Sequence, residues 1–470
     1  MTESNPYKDL IERQDKYFRE KLRHVSLFER KKHLKSIYNW IKNNEQLIID
    51  AVYADLKKCE QDVLLSEIRT VISEIKDARR NLRFWAAEEK KSAPISLLGT
   101  KAWTQKEPKG KALIIAPWNF PFQLAIGPMV SAIAAGCTIT LKPSEHTPAT
   151  EKLISRMVGE IFRPEHVQVV TGGVSETTHL LNLKWDHIFF TGSPQVGKIV
   201  MKAAAQNLTS VTLELGGENP VIIDETANIK DTAQKLIWGK MFNGGQSCVS
   251  PNTIFVHQSK KQTLIDQLKK ELNNYLENKP SIETNHFPRI VNENHSQRID
   301  QLINKSIEEG AKKITNETND ITQSFIAPTL LELNSIDASI CDEEIFGPVL
   351  PILEYNDLRQ VLEVIEKREK PLAFYIFSKR RKNIDLILKN SSAGTTVIND
   401  TTIQFTHQHL PFGGVNGSGI GKAHGVYGYK EFTNERAVLK QRRGWTMPKL
   451  IYPPYGKFQK FLIRFVTWRL

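Results

Sequence analysis

Over residues 8–92 apolar positions recur every three or four residues, in FERKKHLKSIYNWIKNNEQLIIDAVYADL and again in LLSEIRTVISEIKDARRNLRFW. That spacing predicts helices, each with one buried stripe. Past Pro94 the period shortens, and 100–105 and 111–116 read as strands around the turn EPKG, where Pro108 and Gly110 suit a reversal. Between 112 and 224 short apolar runs (ALIIA, CTITL, VQVVTG, HIFFTG, SVTLELGG, PVIID) alternate with helical stretches such as 149–161. The alternation predicts a parallel sheet with helices on both faces. Helices over 230–244 and 260–278, interleaved with strands near Ile254, Ile326, Val349 and Ala373, predict a second α/β unit. No short-period repeat or low-complexity linker interrupts this order.

Composition narrows the class. A chain of 470 residues with 40% hydrophobic residues can bury a large core and divides into two or three domains. Its four cysteines, Cys59, Cys137, Cys248 and Cys341, are too scattered for a disulfide framework and lack zinc-ligand spacing, so a reducing, cytoplasmic setting and no metal are expected. The polar N-terminus lacks the apolar core of a secretory signal, and no run of eighteen apolar residues predicts a membrane span. The net charge of +12 would suggest an anionic partner, but eight Lys and Arg and no Asp or Glu lie in 440–470, which leaves a body of +4. No nucleic-acid partner is implied.

The candidate chemistry centres on Cys248 in FNGGQSCVSP and Glu214 in TLELGGENP. A thiol among small residues can be approached by a carbonyl, and a carboxylate brought beside it can activate the thiol or a water; a lone cysteine is otherwise a small buried hydrophobe. PWNFPF follows the strand ALIIA at the end where α/β sheets bind ligands, and its Asn119 amide could meet an oxyanion, or the motif is an aromatic loop cluster. In LKPSE, Lys142 and Glu145 could hold ribose hydroxyls or form an ordinary turn. FTGSPQVGK sets Gly192, Ser193 and Gly197 between a strand and a helix, where backbone N–H groups bind a pyrophosphate, although the glycine spacing is not GxGxxG. EIFGP and LPFGGVNGSGIG say little alone.

Taken in order, PWNFPF, LKPSE, FTGS, LELGG, GQSC and EIFGPVLP make residues 112–439 resemble the aldehyde dehydrogenase superfamily. KPLAFYIFS and LPFGGVNGSGIGKAHGVYGYKEFT resemble its class 3 and fatty aldehyde branch. The resemblance implies an α/β fold with a Rossmann-like NAD-binding domain (1–94 and 112–216), an α/β catalytic domain (217–407) and a small β oligomerisation arm (95–111 and 408–440), followed by a basic tail (441–470). It implies NAD(P)-dependent oxidation of medium or long aliphatic, or aromatic, aldehydes to acids by a homodimer; a specialised coniferyl aldehyde or semialdehyde dehydrogenase is the alternative. By resemblance Cys248 is the nucleophile, Glu214 the general base and Asn119 an oxyanion donor. Lys142 and Glu145 then hold the adenosine ribose, Trp118, Gly192, Ser193 and Gly197 the pyrophosphate, Glu344 the nicotinamide ribose, and Phe346 packs by the nicotinamide. A carboxylate at Glu145 favours NAD over NADP, because it accepts from a free 2′-hydroxyl and repels a 2′-phosphate.

Some positions carry plainer expectations. Glu218 stands where many relatives have lysine and is expected on a solvated surface; Ser247 is a change of similar size. His407 and His409 read as loop histidines, Cys341 beside two acidic residues as inert, and Cys59 and Cys137 as core. If 457 onward is helical, Phe458, Phe461, Leu462 and Phe465 form one apolar stripe beside Lys457, Lys460 and Arg464, suited to peripheral contact with anionic lipid or to packing on a partner subunit.

Overall fold

The computed structural model describes residues 5–94 and 97–469. The first residues of the N-terminus, Ile95 and Ser96 of the expected arm, and Leu470 of the tail lie outside them. The N-terminal periodicity resolves into helices Lys8–Glu20, Leu27–Asn43, Glu45–Leu56, Glu60–Val63 and Arg69–Trp85, the last two joined by a π-helical turn at Leu64–Ile68. Of these, Leu27–Asn43 and Arg69–Trp85 pack on the helix Gln123–Ala135, which is apolar almost all round and buried for that reason. Buried Arg30 caps it by donating to the carbonyls of Ala134 (3.2 Å) and Ala135 (2.7 Å).

Behind that helix stands a six-stranded sheet in the order Gly419–Ile420, Ser210–Leu215, His187–Gly192, Lys111–Ile115, Thr138–Lys142, Val167–Val169. Its neighbours are parallel except Gly419–Ile420, which runs antiparallel with Gly419 opposite Glu214. Lys111–Ile115 and Thr138–Lys142 are buried at every position, as strands covered on both faces must be. A second, seven-stranded sheet runs Lys312–Lys313, Thr329–Glu332, Val349–Tyr355, Ile254–His257, Val221–Ile223, Ala373–Phe377, Thr395–Ile398, parallel apart from its first strand. Among the described residues the third sheet is a small antiparallel one, Glu89–Lys91, Lys101–Pro108 and Thr433–Lys440.

Three expectations shift. PVIID belongs to the second sheet, paired with Ile254 and Tyr375, and not to the first. The chain crosses over at Gly217, where a Cβ would sit 3.1 Å from the Leu372 nitrogen. The helix foreseen over 230–244 stops at Met241, because Asn243, Gly244 and Gly245 adopt φ of 53°, 61° and 73°. Of 408–440, Thr433–Lys440 alone joins the small sheet, while Gly419–Ile420 extends the six-stranded one.

The parallel arrangement has a consequence for chemistry. Asn119 follows the strand Lys111–Ile115, Lys142 and Gly192 end theirs, and Glu214 stands one residue before the end of Ser210–Leu215. These groups therefore collect along the carboxyl edge of one sheet.

Candidate active site

The segment carrying Cys248 is held by a lattice of amides. Asn119 Nδ2 donates to the Gln246 carbonyl (3.0 Å), and Asn243 Nδ2 donates to the carbonyls of Asn119 (2.8 Å) and Gln246 (3.1 Å). Gln246 Nε2 reaches the carbonyls of Asn243 and Arg289 (both 3.0 Å), and its Oε1 accepts from the Val291 N–H (3.0 Å). On the other side Asn219 Nδ2 donates to the carbonyls of Cys248 (2.8 Å) and Ser250 (2.9 Å), and the Tyr375 hydroxyl donates to that of Val249. Gly245 cannot carry a side chain, since a Cβ there would overlap the Gly347 carbonyl. From 241 to 256 every residue is buried except Cys248. The lattice thus presents one side chain.

Glu214 is 6% exposed, and neither of its oxygens has a hydrogen-bond partner. Burial pushes its carboxyl well above the ordinary range, Lys422 pulls it down and Glu431 pushes it up again. Enclosure also raises the Cys248 thiol, helped by the nearby acids Glu344 and Glu214, while the N–H groups of Cys248 and Val249 pull the other way. A carboxyl raised by burial holds a proton more tightly than a solvated one and is the stronger base once ionised, which suits a general base.

Under these loops lies a buried ion pair, Lys58 Nζ to Glu67 Oε1 at 3.3 Å, with both side chains fully buried. The ammonium sits 4.2 Å from the Phe120 ring centre and 5.8 Å from that of Phe242, while Glu67 Oε2 accepts from the Gln123 N–H (2.8 Å). Asp62, held above its usual range by burial and drawn down by Lys58, accepts from the Asn243 backbone. The pair therefore touches both the loop of Asn119 and the loop of Cys248. Nothing in the sequence flagged it.

Along the sheet edge the candidate nucleotide groups are arranged as follows. Lys142 Nζ donates to the Pro143 carbonyl (2.6 Å) and to Glu145 Oε2 (3.2 Å). Burial raises the Glu145 carboxyl, but its own N–H and Lys142 outweigh that and hold it below the ordinary value. Gly192 ends its strand, and Ser193 caps the helix Pro194–Ala205, its Oγ accepting from the Val196 N–H (3.3 Å). Gly197 faces the sheet: a Cβ there would sit 2.8 Å from Leu215 Cδ2, so it serves close packing. Trp118 meets Phe346 edge-on at 5.3 Å and His295 at 5.1 Å, with Phe346 at φ 51°. Glu344 accepts from the Gly217 N–H and has Oε1 buried without a partner; burial raises it to about 8. Buried Lys240, which donates to the Pro251 carbonyl (2.8 Å), is brought down by burial to about 7, with Glu344 opposing.

Other expectations resolve individually. Glu218 is not a solvated surface charge but pairs with Arg368 at 2.6 Å, and its side chain is three-quarters buried. Cys59 is partly exposed and so is no core residue; Cys137 and Cys341 are buried, and burial raises both thiols to about 11. The rings of His407 and His409 lie 6.1 Å apart, and Gln408 between them lines a cavity. His424, unremarked in the sequence, pairs with Glu74 at 2.6 Å. This cavity, of about 240 Å³, has an apolar side of Leu65, Trp238, Phe242, Ile403 and Phe405 and a polar side that includes Arg69, Thr70, Ser73 and the His424–Glu74 pair. Phe242 links this cavity to the segment of Cys248. Asn219 was missed too, although its place in GGENP beside LELGG was a usable signal.

This fold and this pairing of a presented thiol with a desolvated carboxylate define a class. The chain belongs to the aldehyde dehydrogenase family, whose profile matches residues 3–438. It is 41% identical over 436 residues to the 4,4'-diaponeurosporen-aldehyde dehydrogenase of Staphylococcus aureus (strain NCTC 8325 / PS 47), spanning 92% of this chain and 93% of that one. It is 39% identical to aldehyde dehydrogenase family 3 member H1 of Arabidopsis thaliana, over 90% of this chain and 87% of that one. A solved Staphylococcus aureus AldH in a substrate-bound state superposes with a TM-score of 0.93 at 38% identity, over 98% of this chain and 100% of that one. An aldehyde dehydrogenase from Bacillus cereus solved with NAD+ superposes at 0.83 with 26% identity, over 92% and 88% of the two chains.

The buried pair gives a test. Lys58→Met strands the Glu67 carboxylate and is expected to cost about 3–5 kcal/mol of stability, read as a lowered thermal midpoint. Lys58→Met combined with Glu67→Leu should recover most of that. A double variant no more stable than the single one would contradict an ion pair as the link between the two loops.

Proposed function

We propose that this aldehyde dehydrogenase works through Cys248 as nucleophile, Glu214 as general base and Asn119 as oxyanion donor, on an apolar aldehyde that enters by the cavity beside Phe242. The observation that carries the reading is that Cys248 is the one accessible residue in an otherwise buried stretch from 241 to 256. Its thiolate adds to the aldehyde carbon and gives a thiohemiacetal. The oxyanion is met by the Cys248 N–H and by the second N–H of the Asn119 amide, the first being committed to the Gln246 carbonyl. Such preorganised donors contribute on the order of 3 kcal/mol each.

The residues on the sheet edge fit a nicotinamide dinucleotide. Glu344 Oε1 is buried without a partner, Glu145 is held ionised beside Lys142, and Ser193 opens a twelve-residue helix. A bound nicotinamide cofactor would supply the acceptor for the hydride that leaves the thiohemiacetal carbon. Glu145 and Lys142 would hold the adenosine ribose, Glu344 the second ribose, and Trp118 with Phe346 the nicotinamide side. An ionised Glu145 favours NAD, and its contact with Lys142 softens the repulsion of a 2′-phosphate enough to admit NADP. What remains on Cys248 is a thioester. Glu214 takes a proton from a water, the hydroxide attacks the thioester carbon, and the acid leaves with the thiol restored.

We assign cofactor binding to 1–94 and 112–216, catalysis to 217–407, and subunit contact to the small sheet that 95–111 and 408–440 feed. The exposed edge strand Thr395–Ile398 supports a dimer, since a partner's strand can pair there. The apolar side of the cavity, Leu65, Trp238, Phe242, Ile403 and Phe405, supports medium or long aliphatic and aromatic substrates. Among the described residues no helix is long and apolar enough to cross a membrane. The tail helix Lys457–Arg469 nevertheless exposes Phe458, Phe461 and Trp468 beside Lys457 and Lys460, which supports peripheral contact with anionic lipid.

Two outcomes follow. With NAD+ the wild type should reduce cofactor on hexanal, decanal and benzaldehyde faster than on succinic semialdehyde, and Cys248→Ala should lose at least a thousandfold in rate; comparable rates in that variant would refute the mechanism. Deleting 457–470 should abolish co-sedimentation with phosphatidylglycerol vesicles, and equal binding with and without the tail would sink the membrane reading.

A further inference from the structure

Lys422 ends the run NGSGIGK, two residues after the antiparallel strand Gly419–Ile420 that lies against Glu214. Its ammonium donates to the carbonyls of Gly413 (2.6 Å) and Gly414 (3.0 Å), and its backbone N–H to Glu431 Oε1 (3.2 Å). A Cβ placed on Gly413 would lie 2.9 Å from Glu214 Oε1 and 3.0 Å from Lys422 Cδ, so the carboxylate and the lysine stem flank the same glycine. An ammonium has three donors, and two are used. The third is free, and both Glu214 oxygens are without partners.

The other ionisable groups around Glu214 oppose its ionisation. Glu431 faces it from the helix Gly425–Glu431, held by Thr212 (2.7 Å), whose hydroxyl also touches His187 (3.1 Å). Cys248 faces it from the catalytic segment, and Glu344 stands beyond that thiol. His187, fully buried and bordered by Lys109, is held neutral by its burial. The cation facing the carboxylate is Lys422.

We propose that Lys422 is the charge partner of Glu214, a positioning residue whose free N–H meets the carboxylate as it ionises and so keeps a general base working inside a desolvated site. The inference rests on Glu214 being the base. The two carbonyl bonds fix the ammonium beside Gly413 whether or not Glu214 is charged, so the base ionises towards a cation already in place. Glu431, bonded to the Lys422 backbone, holds the start of that lysine against the strand.

The test is thioester hydrolysis in the full-length enzyme with hexanal and NAD+, followed by stopped flow as a burst of NADH and a slower steady phase across pH 5.5–9.5. In Lys422→Met the burst amplitude is expected to match wild type, while the steady phase falls about tenfold at pH 7 and its acid limb moves up by about one pH unit. Lys422→Arg should restore the limb. Lys422→Gln, which keeps a donor for the Gly413 carbonyl, should show the same upward move as Lys422→Met and substitutes for it if that variant fails to fold. An acid limb unmoved in the Met or Gln variant, with Glu214→Gln arrested after the burst, would overturn the role of Lys422 alone. Wild-type hydrolysis in Glu214→Gln would overturn both it and the assignment of the base.

Discussion

The hydrogen bonds among Asn119, Asn243 and Gln246 are the constraint on which the site depends. Asn119 follows a strand of the six-stranded sheet, and Gln246 belongs to the chain that leads into the seven-stranded one. Their bond joins the two layers beside Cys248. Buried amides of this kind are costly when unsatisfied, so the lattice fixes one geometry and tolerates few others. The left-handed run from Asn243 to Gly245 then turns the thiol outward and the rest of the segment inward.

That geometry brings acids together. Cys248, Glu214 and Glu344 share one enclosure, and burial raises all three, so the site resists carrying several negative charges at once. Lys240 and Lys422 are the buried or half-buried cations set against them. In this account the two lysines offset part of the cost that burial places on the charged forms of Glu214 and Glu344. Below, Lys58 and Glu67 keep the two loops in register without entering the site.

Much of this could be read along the chain, for a definite reason. Parallel strands covered on both faces leave continuous apolar runs, and ALIIA, CTITL and HIFFTG announce themselves in that way. Glycine-rich words such as NGGQSC and LELGG mark places where backbone comes too close for side chains, and sites gather there. What periodicity cannot give is the partner of a strand, so PVIID was placed in the wrong sheet. Nor does it show pairs distant in sequence: Glu218 looked solvated because Arg368 lies 150 residues away, and His424 meets Glu74 across 350. Lys58 and Glu67 resemble any charged helix face until the loops close over them. Gly197 has the position of a phosphate-binding glycine, and its packing against Leu215 is a second reason for a glycine that the motif does not show.

The central claim is that the acid forms by way of an acyl group on Cys248 that Glu214 must release. Intact-mass and peptide mass spectrometry of Glu214→Gln after mixing with NAD+ and hexanal tests it directly. The account predicts a hexanoyl adduct on Cys248, accumulating to near one per chain and absent from Cys248→Ala. No adduct, or an adduct on another residue, would contradict it.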